Sequence, residues 1–229
     1  MCGRYALHAN PEVVALQFGL DRAPPFAARY NICPGADLLG VRVDRHGARV
    51  ASHYRWGLVP HWARDPAIGN RLVNARGENL EEKPAFRDAF LRWRCLVPAS
   101  GYYEWRSRRG AKQPWYLRPV DAPLFGLAGI TASWRGPRGV MRSVSLITTA
   151  PNELTATIHD RMPLIVAPED YAAWLDAKTE APVLRQLVQP YPAQRMSAYA
   201  VSPRVNAPEN DDAALLEALP GGPAQRDLL

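Results

Sequence analysis

Between Arg94 and Thr149 the chain offers five strand-length segments in succession: RCLVPAS, GYYEWRS, QPWYLRP, LFGLAGITAS and RSVSLITTA. Proline and glycine stand at the turns between them, where their restricted or permissive backbone angles punctuate strands. Strands joined by short turns pair antiparallel, and a long apolar sheet curls to bury a face. The remaining segments read as a shell around that sheet. NPEVVALQFGL is expected to be a helix, with Asn10 as N-cap, Pro11 in the first helical position and Gly19 ending it. RHGARVASHYRWGLVP reads as two strands about a turn at His46 and Gly47. LEEKPAFRDAFLRW has apolar residues at helical spacing, and ARDPAIGNRLVNARGEN reads as a loop. PNELTATI opens a short helix at Pro151, MPLIVA is a strand, PEDYAAWLDA and APVLRQLVQ are helices, and MSAYAVS is the last strand. The expected fold class is α+β, a mainly antiparallel, curled β-sheet (barrel- or sandwich-like) with surrounding short helices. No linker divides the chain, so one domain is expected over residues 1–218, with a disordered tail over 219–229.

Composition narrows the functional classes. No apolar run approaches the ~18 residues of a membrane span, and no apolar stretch of a secretory signal follows the start. A cytoplasmic location is expected, at the nucleoid in a bacterium. Cys2, Cys33 and Cys95 are too few and too dispersed for a disulfide framework and form no CxxC pair. Cys95, in RWRCLVPAS, reads as a buried small hydrophobe, and Cys33 as structural. The five histidines form no HxH, HxxxH or HExxH pattern, so no metal and no other cofactor is expected. The net charge of +6 is compatible with nucleic acid.

Several residues could carry chemistry. Cys2 lies directly behind the initiator methionine. Removal of that methionine would leave one residue with two nucleophiles, an α-amine and a thiol. In GYYEW, alternation places Tyr102 and Glu104 on one strand face and Tyr103 and Trp105 on the other. Glu104 is either solvated on an edge strand or buried, and burial would let it hold a proton near neutral pH. His159 stands in TIHDRMP, between a helix and a strand. In RLVNARGEN, Asn74 is a substrate ligand or a turn residue, and Arg76 and Glu78 are able to pair on the surface. Seven tryptophans are many for 229 residues; most fill a core, and those beside arginines are able to stack on unpaired bases.

MCGRY, WGLVPHW, NARGE, GYYEW and IHDRMP occur in that order. Together they closely resemble the SRAP family, named for SOS response-associated peptidase, from residue 2 to AVSPRVN near residue 208. The resemblance implies a sensor of abasic sites in single-stranded DNA. It implies that Cys2, Asn74, Glu104 and His159 are catalytic, that Arg4, Arg76 and Arg161 meet the DNA backbone, and that Trp62 and Trp105 lie near the DNA. It further implies that Cys2, freed of Met1, traps the ring-opened aldehyde as a thiazolidine crosslink in the DNA damage response. Single-stranded DNA with abasic sites is the expected partner, no membrane is expected, and the chain is expected to act as a monomer. The loop HWARDPAIGNRL and the arginine-rich residues 106–109 are local to this chain, and no DNA contact carries over to them. Lyase and (auto)peptidase activity are also implied. Two other classes stay open: an N-terminal-cysteine hydrolase (an autopeptidase or glutamine amidotransferase-like enzyme) and a non-covalent module for single-stranded DNA.

Overall fold

In the computed structural model the described residues are 2–108, 110–137 and 139–221; most of the expected tail lies outside them. Among these residues the strands are β1 (Tyr5–Leu7), β2 (Arg29–Ile32), β3 (Asp37–Val43), β4 (Arg49–Trp56), β5 (Asn74–Arg76), β6 (Arg94–Ala99) and β7 (Gly101–Arg108). There follow β8 (Ala111–Pro119), β9 (Phe125–Gly136), β10 (Gly139–Thr149), β11 (Met162–Pro163), β12 (Ile165–Val166) and β13 (Met196–Ala200). The helices are α1 (Pro11–Phe18), α2 (Arg87–Arg92), α3 (Glu153–Ala156), α4 (Tyr171–Leu175) and α5 (Ala181–Leu187).

The strands make two sheets. In the larger, β10, β4, β3, β6 and β9 pair in that order, and β9 pairs back onto β10. That return closes a five-strand barrel and removes its edges. The smaller sheet is open and antiparallel, in the order β13-β8-β7-β1-β2. It meets the barrel through Tyr5, whose ring packs edge-on against Trp56 with centroids 5.6 Å apart. The expected α+β class with a mainly antiparallel, curled sheet is therefore observed. The parallel exceptions are β10 with β4 and β10 with β5.

Local signals held where they were self-contained. Asn10 caps α1, its side chain accepting from Val13 N at 2.9 Å, and Gly19 ends it at φ 64°. Three segments differ from expectation. The helix in LEEKPAFRDAFLRW is confined to Arg87–Arg92, because Pro84 lacks an amide donor and disfavours helical geometry before it. MPLIVA is two short strands: Met162–Pro163 pairs with β10 and Ile165–Val166 with β9. Between them Leu164 donates to Ile147 O at 2.9 Å and accepts from Ala128 N at 2.8 Å, so it wedges into the gap where β9 and β10 diverge. The presumed loop around NARGE contains β5, paired with the C-terminal part of β10.

Polar side chains tie the surrounding segments to each sheet. Arg94 donates to the carbonyls of Phe90, Trp174 and Asp176, fixing α4 against the barrel. The segment after β13 folds back over β2. Asp211 accepts from Tyr30 N, Asn31 N and the Arg29 guanidinium, and Asn31 Nδ2 donates to the carbonyls of Val205, Ala207 and Asn210.

Gly101 opens β7, opposite Ala6 of β1. A Cβ there would land in the Tyr116 ring. Gly101→Ala should therefore destabilise the protein by ~1–3 kcal/mol through overpacking, read as a lowered midpoint in urea denaturation.

Candidate active site

The pairing of β1 with β7 sets the site. Tyr5 lies opposite Tyr102 and Ala6 opposite Gly101, and Tyr103 N donates to Arg4 O at 3.0 Å. Carried on, this register sets Gly3 opposite Glu104, so the chain start runs along the strand that holds the carboxyl. Cys2 is 0% exposed and Glu104 1%. Strand β7 lies between β8 and β1, so the edge-strand alternative for Glu104 is excluded.

Two further elements close on this pair. Asn74, on β5 opposite Leu146 of β10, donates from Nδ2 to the Cys2 carbonyl at 2.7 Å. Its Oδ1 is buried without a hydrogen-bond partner among the described residues. His159 follows α3, and its backbone N–H donates to Thr155 O at 2.8 Å. His159 Nε2 stands 3.9 Å from Glu104 Oε2. The structure thus brings Cys2, Asn74, Glu104 and His159 together from four separate parts of the chain.

Burial sets the electrostatics. It pushes the Glu104 carboxyl up to about 7, with the charge of Asp160 acting in the same direction. It raises the Cys2 thiol far above its ordinary value, helped by Glu104, so the sulfur is protonated at neutral pH. It lowers His159, which favours neutral imidazole. The Arg161 N–H donates to His159 Nδ1 at 3.0 Å, so in the neutral ring the proton sits on Nε2, toward Glu104. Asp160 Oδ1 lies 2.9 Å from the same Nδ1 and is the natural acceptor when the ring is protonated.

The five residues expected at the DNA divide. Arg4 donates to Asn31 Oδ1 at 2.9 Å and to the carbonyls of Val205 and Asn206, and its guanidinium lies 5.9 Å from the Trp105 ring centroid. Trp105 Nε1 donates to Asn206 Oδ1 at 2.8 Å. Arg161 grips Glu78 with both terminal nitrogens, at 2.5 and 2.9 Å, and donates to Thr148 O at 2.8 Å. The surface pairing of Arg76 with Glu78 is therefore not formed; Glu78 is taken by Arg161, whose loop reaches it across 83 residues. Arg76 is exposed and makes no side-chain hydrogen bond or ion pair among the described residues. Trp62 is half-exposed, on a separate loop.

A profile of the SOS response associated peptidase (SRAP) family matches residues 1–208. The chain belongs to that family. Among its SRAP relatives, the abasic site processing protein YoqW of Bacillus subtilis is 39% identical over 224 residues, covering 95% of this chain and 100% of its own. The abasic site processing protein HMCES of Gallus gallus is 31% identical over 188 residues, covering 71% of this chain and 56% of its own. A solved structure of a Bacteroides thetaiotaomicron protein superposes with a TM-score of 0.86 at 26% identity, covering 95% of this chain and 100% of that one. This SRAP fold adds partners that sequence reading missed: Asn31 for Arg4, Thr148 for Arg161, Thr155 for His159 and Asn206 for Trp105. AVSPRVN held the signal for Asn206, but nothing local linked it to Trp105.

The raised Glu104 carboxyl has a thermodynamic consequence. The folded state binds its proton more tightly than the unfolded chain, where the value is 4.5. Stability therefore falls as pH rises from about 4.5 through about 7, and the penalty is complete above that range. Glu104→Gln removes the charge. Its melting temperature should exceed that of the native protein at pH 8, and the gain should vanish at pH 4.5 and below, as calorimetry at both pH values would show.

Proposed function

We propose that this chain processes abasic sites in DNA, trapping the ring-opened sugar covalently on Cys2 once Met1 has been removed. The observation that carries the reading is the hydrogen bond from Asn74 to Cys2, made beside a buried Glu104 that faces His159. The names of the relatives, which are abasic site processing proteins, support the same substrate.

The electrostatics order the steps. The Cys2 thiol is protonated and a poor first nucleophile. An unperturbed α-amine, with a pKa of about 7.7–8.0, is partly neutral at pH 7 and attacks first. Its lone pair bonds to the aldehyde carbon, and the oxygen takes up a proton. Loss of that oxygen as water gives an imine. The sulfur then adds to the same carbon, and its proton ends on the nitrogen, closing a five-membered thiazolidine. The net change is loss of one water. Because amine and thiol belong to one residue, the second bond forms as an effectively unimolecular step.

Glu104, poised at about 7, gives a proton to the departing oxygen and takes one from the thiol. His159 presents Nε2–H to the sugar and assists ring opening, reversal or β-elimination. The buried Oδ1 of Asn74 is an acceptor for the N–H of the carbinol intermediate. Unpaired DNA is the favoured form, because the sugar must leave any stack to reach a buried cysteine.

Denaturing electrophoresis with single-stranded abasic DNA tests the proposal. Native protein whose intact mass shows loss of Met1 should give a heat-stable shifted band, and Cys2→Ala should give none. An adduct retained in Cys2→Ala would overturn the reading. Arg76→Ala should leave the adduct intact at saturating DNA but weaken binding. It should also reduce the slope of log K against log salt by ~0.7, the contribution of one phosphate contact on a single strand.

A further inference from the structure

Away from the four clustered residues, a cleft of about 400 Å³ is lined by Arg42, Pro60, His61, Trp62, Asp88 and Trp93, with Thr131–Ser133 at its floor. Its two indoles are among the most exposed large side chains of the molecule, Trp62 at 50% and Trp93 at 51%. Both stand on fixed backbone. Trp93 N donates to Ala89 O at 2.8 Å, and Trp93 O accepts from Thr131 N and Oγ1 at 2.8 and 3.0 Å. On the other wall Val59 N donates to Ser143 Oγ at 2.8 Å, and Ala63 O accepts from Trp134 Nε1 at 2.7 Å, so the turn bearing Trp62 is pinned at both ends. The Arg42 guanidinium lies 5.1 Å from the Trp93 ring centroid. Arg142 adds a second positive charge near the Tyr54 hydroxyl that Arg42 also contacts. The acid in the cleft, Asp88, lies 3.4 Å from Arg87.

We propose that this cleft receives an unpaired nucleobase of the same DNA strand that enters the active site, stacked against Trp93 and with its phosphate at Arg42. The proposal rests on the abasic-site reading for the identity of the strand, and on the cleft itself for the base. Two aromatic walls suit a flat π-face, a volume of this size holds one nucleoside, and Arg42 offers a guanidinium to its phosphate. The position also fits. Ser143, which anchors the Trp62 turn, precedes Leu146, the partner of Asn74, by three residues. That is about 10 Å along β10, so one strand supports both the cleft wall and the partner of Asn74.

The test uses full-length protein and a thymidine-only single strand of about twelve nucleotides, a length within the usual range of single-strand sites. Affinity is read by fluorescence anisotropy for native protein, Trp93→Ala and Arg42→Ala, first on undamaged strand. It is read again on strands with a central abasic site that also lack one flanking base at successive positions. Trp93→Ala should weaken binding of the undamaged strand about tenfold, and Arg42→Ala less, with unchanged melting temperatures. In native protein, removing the base at one flanking position should cost a similar factor, and in Trp93→Ala it should cost nothing further. Native affinity in Trp93→Ala on the undamaged strand, or full additivity between the variant and base removal, overturns the cleft. Adduct formation at saturating DNA is scored separately and should not change in Trp93→Ala. If native protein forms no adduct, the abasic reading fails, while the undamaged strand still decides the cleft.

Discussion

The hydrogen bonds that sew β1 between β2 and β7 are what every other feature of the site relies on. A chain terminus ordinarily frays. Here three residues, Tyr5–Leu7, are paired on both sides, and Tyr5 is buried against Trp56 of the barrel. A three-residue strand is weak alone. It is held because the segment after β13 folds over its neighbour, with Asp211 and Asn31 tying Arg29–Asn31 to residues 205–211. Arg4, just before β1, completes the tie. The beginning of the chain is rigid only because residues two hundred positions later pack over it, so the candidate site is a property of nearly the whole fold.

That rigidity permits a carboxyl in a place that otherwise works against stability. Glu104 is buried beside Cys2 and His159, and burial disfavours its charged form. A structural role would be served as well by an uncharged residue of similar volume. A group that exchanges protons near neutral pH is served by this environment and no other on the strand. Tyr103 and Trp105 face away, and Tyr102, on the same face, engages Thr155. The same burial raises the thiol of Cys2 and lowers His159. One low-dielectric pocket therefore shifts three groups toward their neutral forms, the condition in which an amine has no competing nucleophile.

Features whose cause lies within a few residues were legible in the sequence. The cap of α1, the hairpin at Gly47 and the strand series from Arg94 were read from turn chemistry and periodicity, and all are present. Alternation in GYYEW paired Tyr102 with Glu104, but it could not say whether the strand was central or an edge, because that depends on β1 and β8 lying on either side. β5 was missed for a related reason. Three residues followed by glycine carry no strand pattern, and their partner on β10 lies about seventy residues away. The same distance hid Glu78 with Arg161 and Trp105 with Asn206. Spacing alone would not have assembled Cys2, Asn74, Glu104 and His159; the ordered motifs did, and the geometry then placed them within reach of one another.

The three arginines expected at phosphates are physically unlike, and the difference bears on how DNA would be held. A guanidinium has five N–H donors in a fixed fork. Arg4 has committed its terminal nitrogens to backbone carbonyls and Asn31, and Arg161 has committed its own to Glu78 and Thr148. Such groups are already ordered, so a phosphate that reaches them meets charge without the entropic cost of fixing a long side chain. Glu78 also cancels much of the charge of Arg161, which makes that residue a brace for the His159 loop before it is an anion ligand. Arg76 is the opposite case, exposed and unbraced, and gains ion pairing on contact at the cost of its own ordering. On the proposed reading these arginines would divide the work: the fixed pair would set where the sugar sits, and the free one would add salt-sensitive affinity.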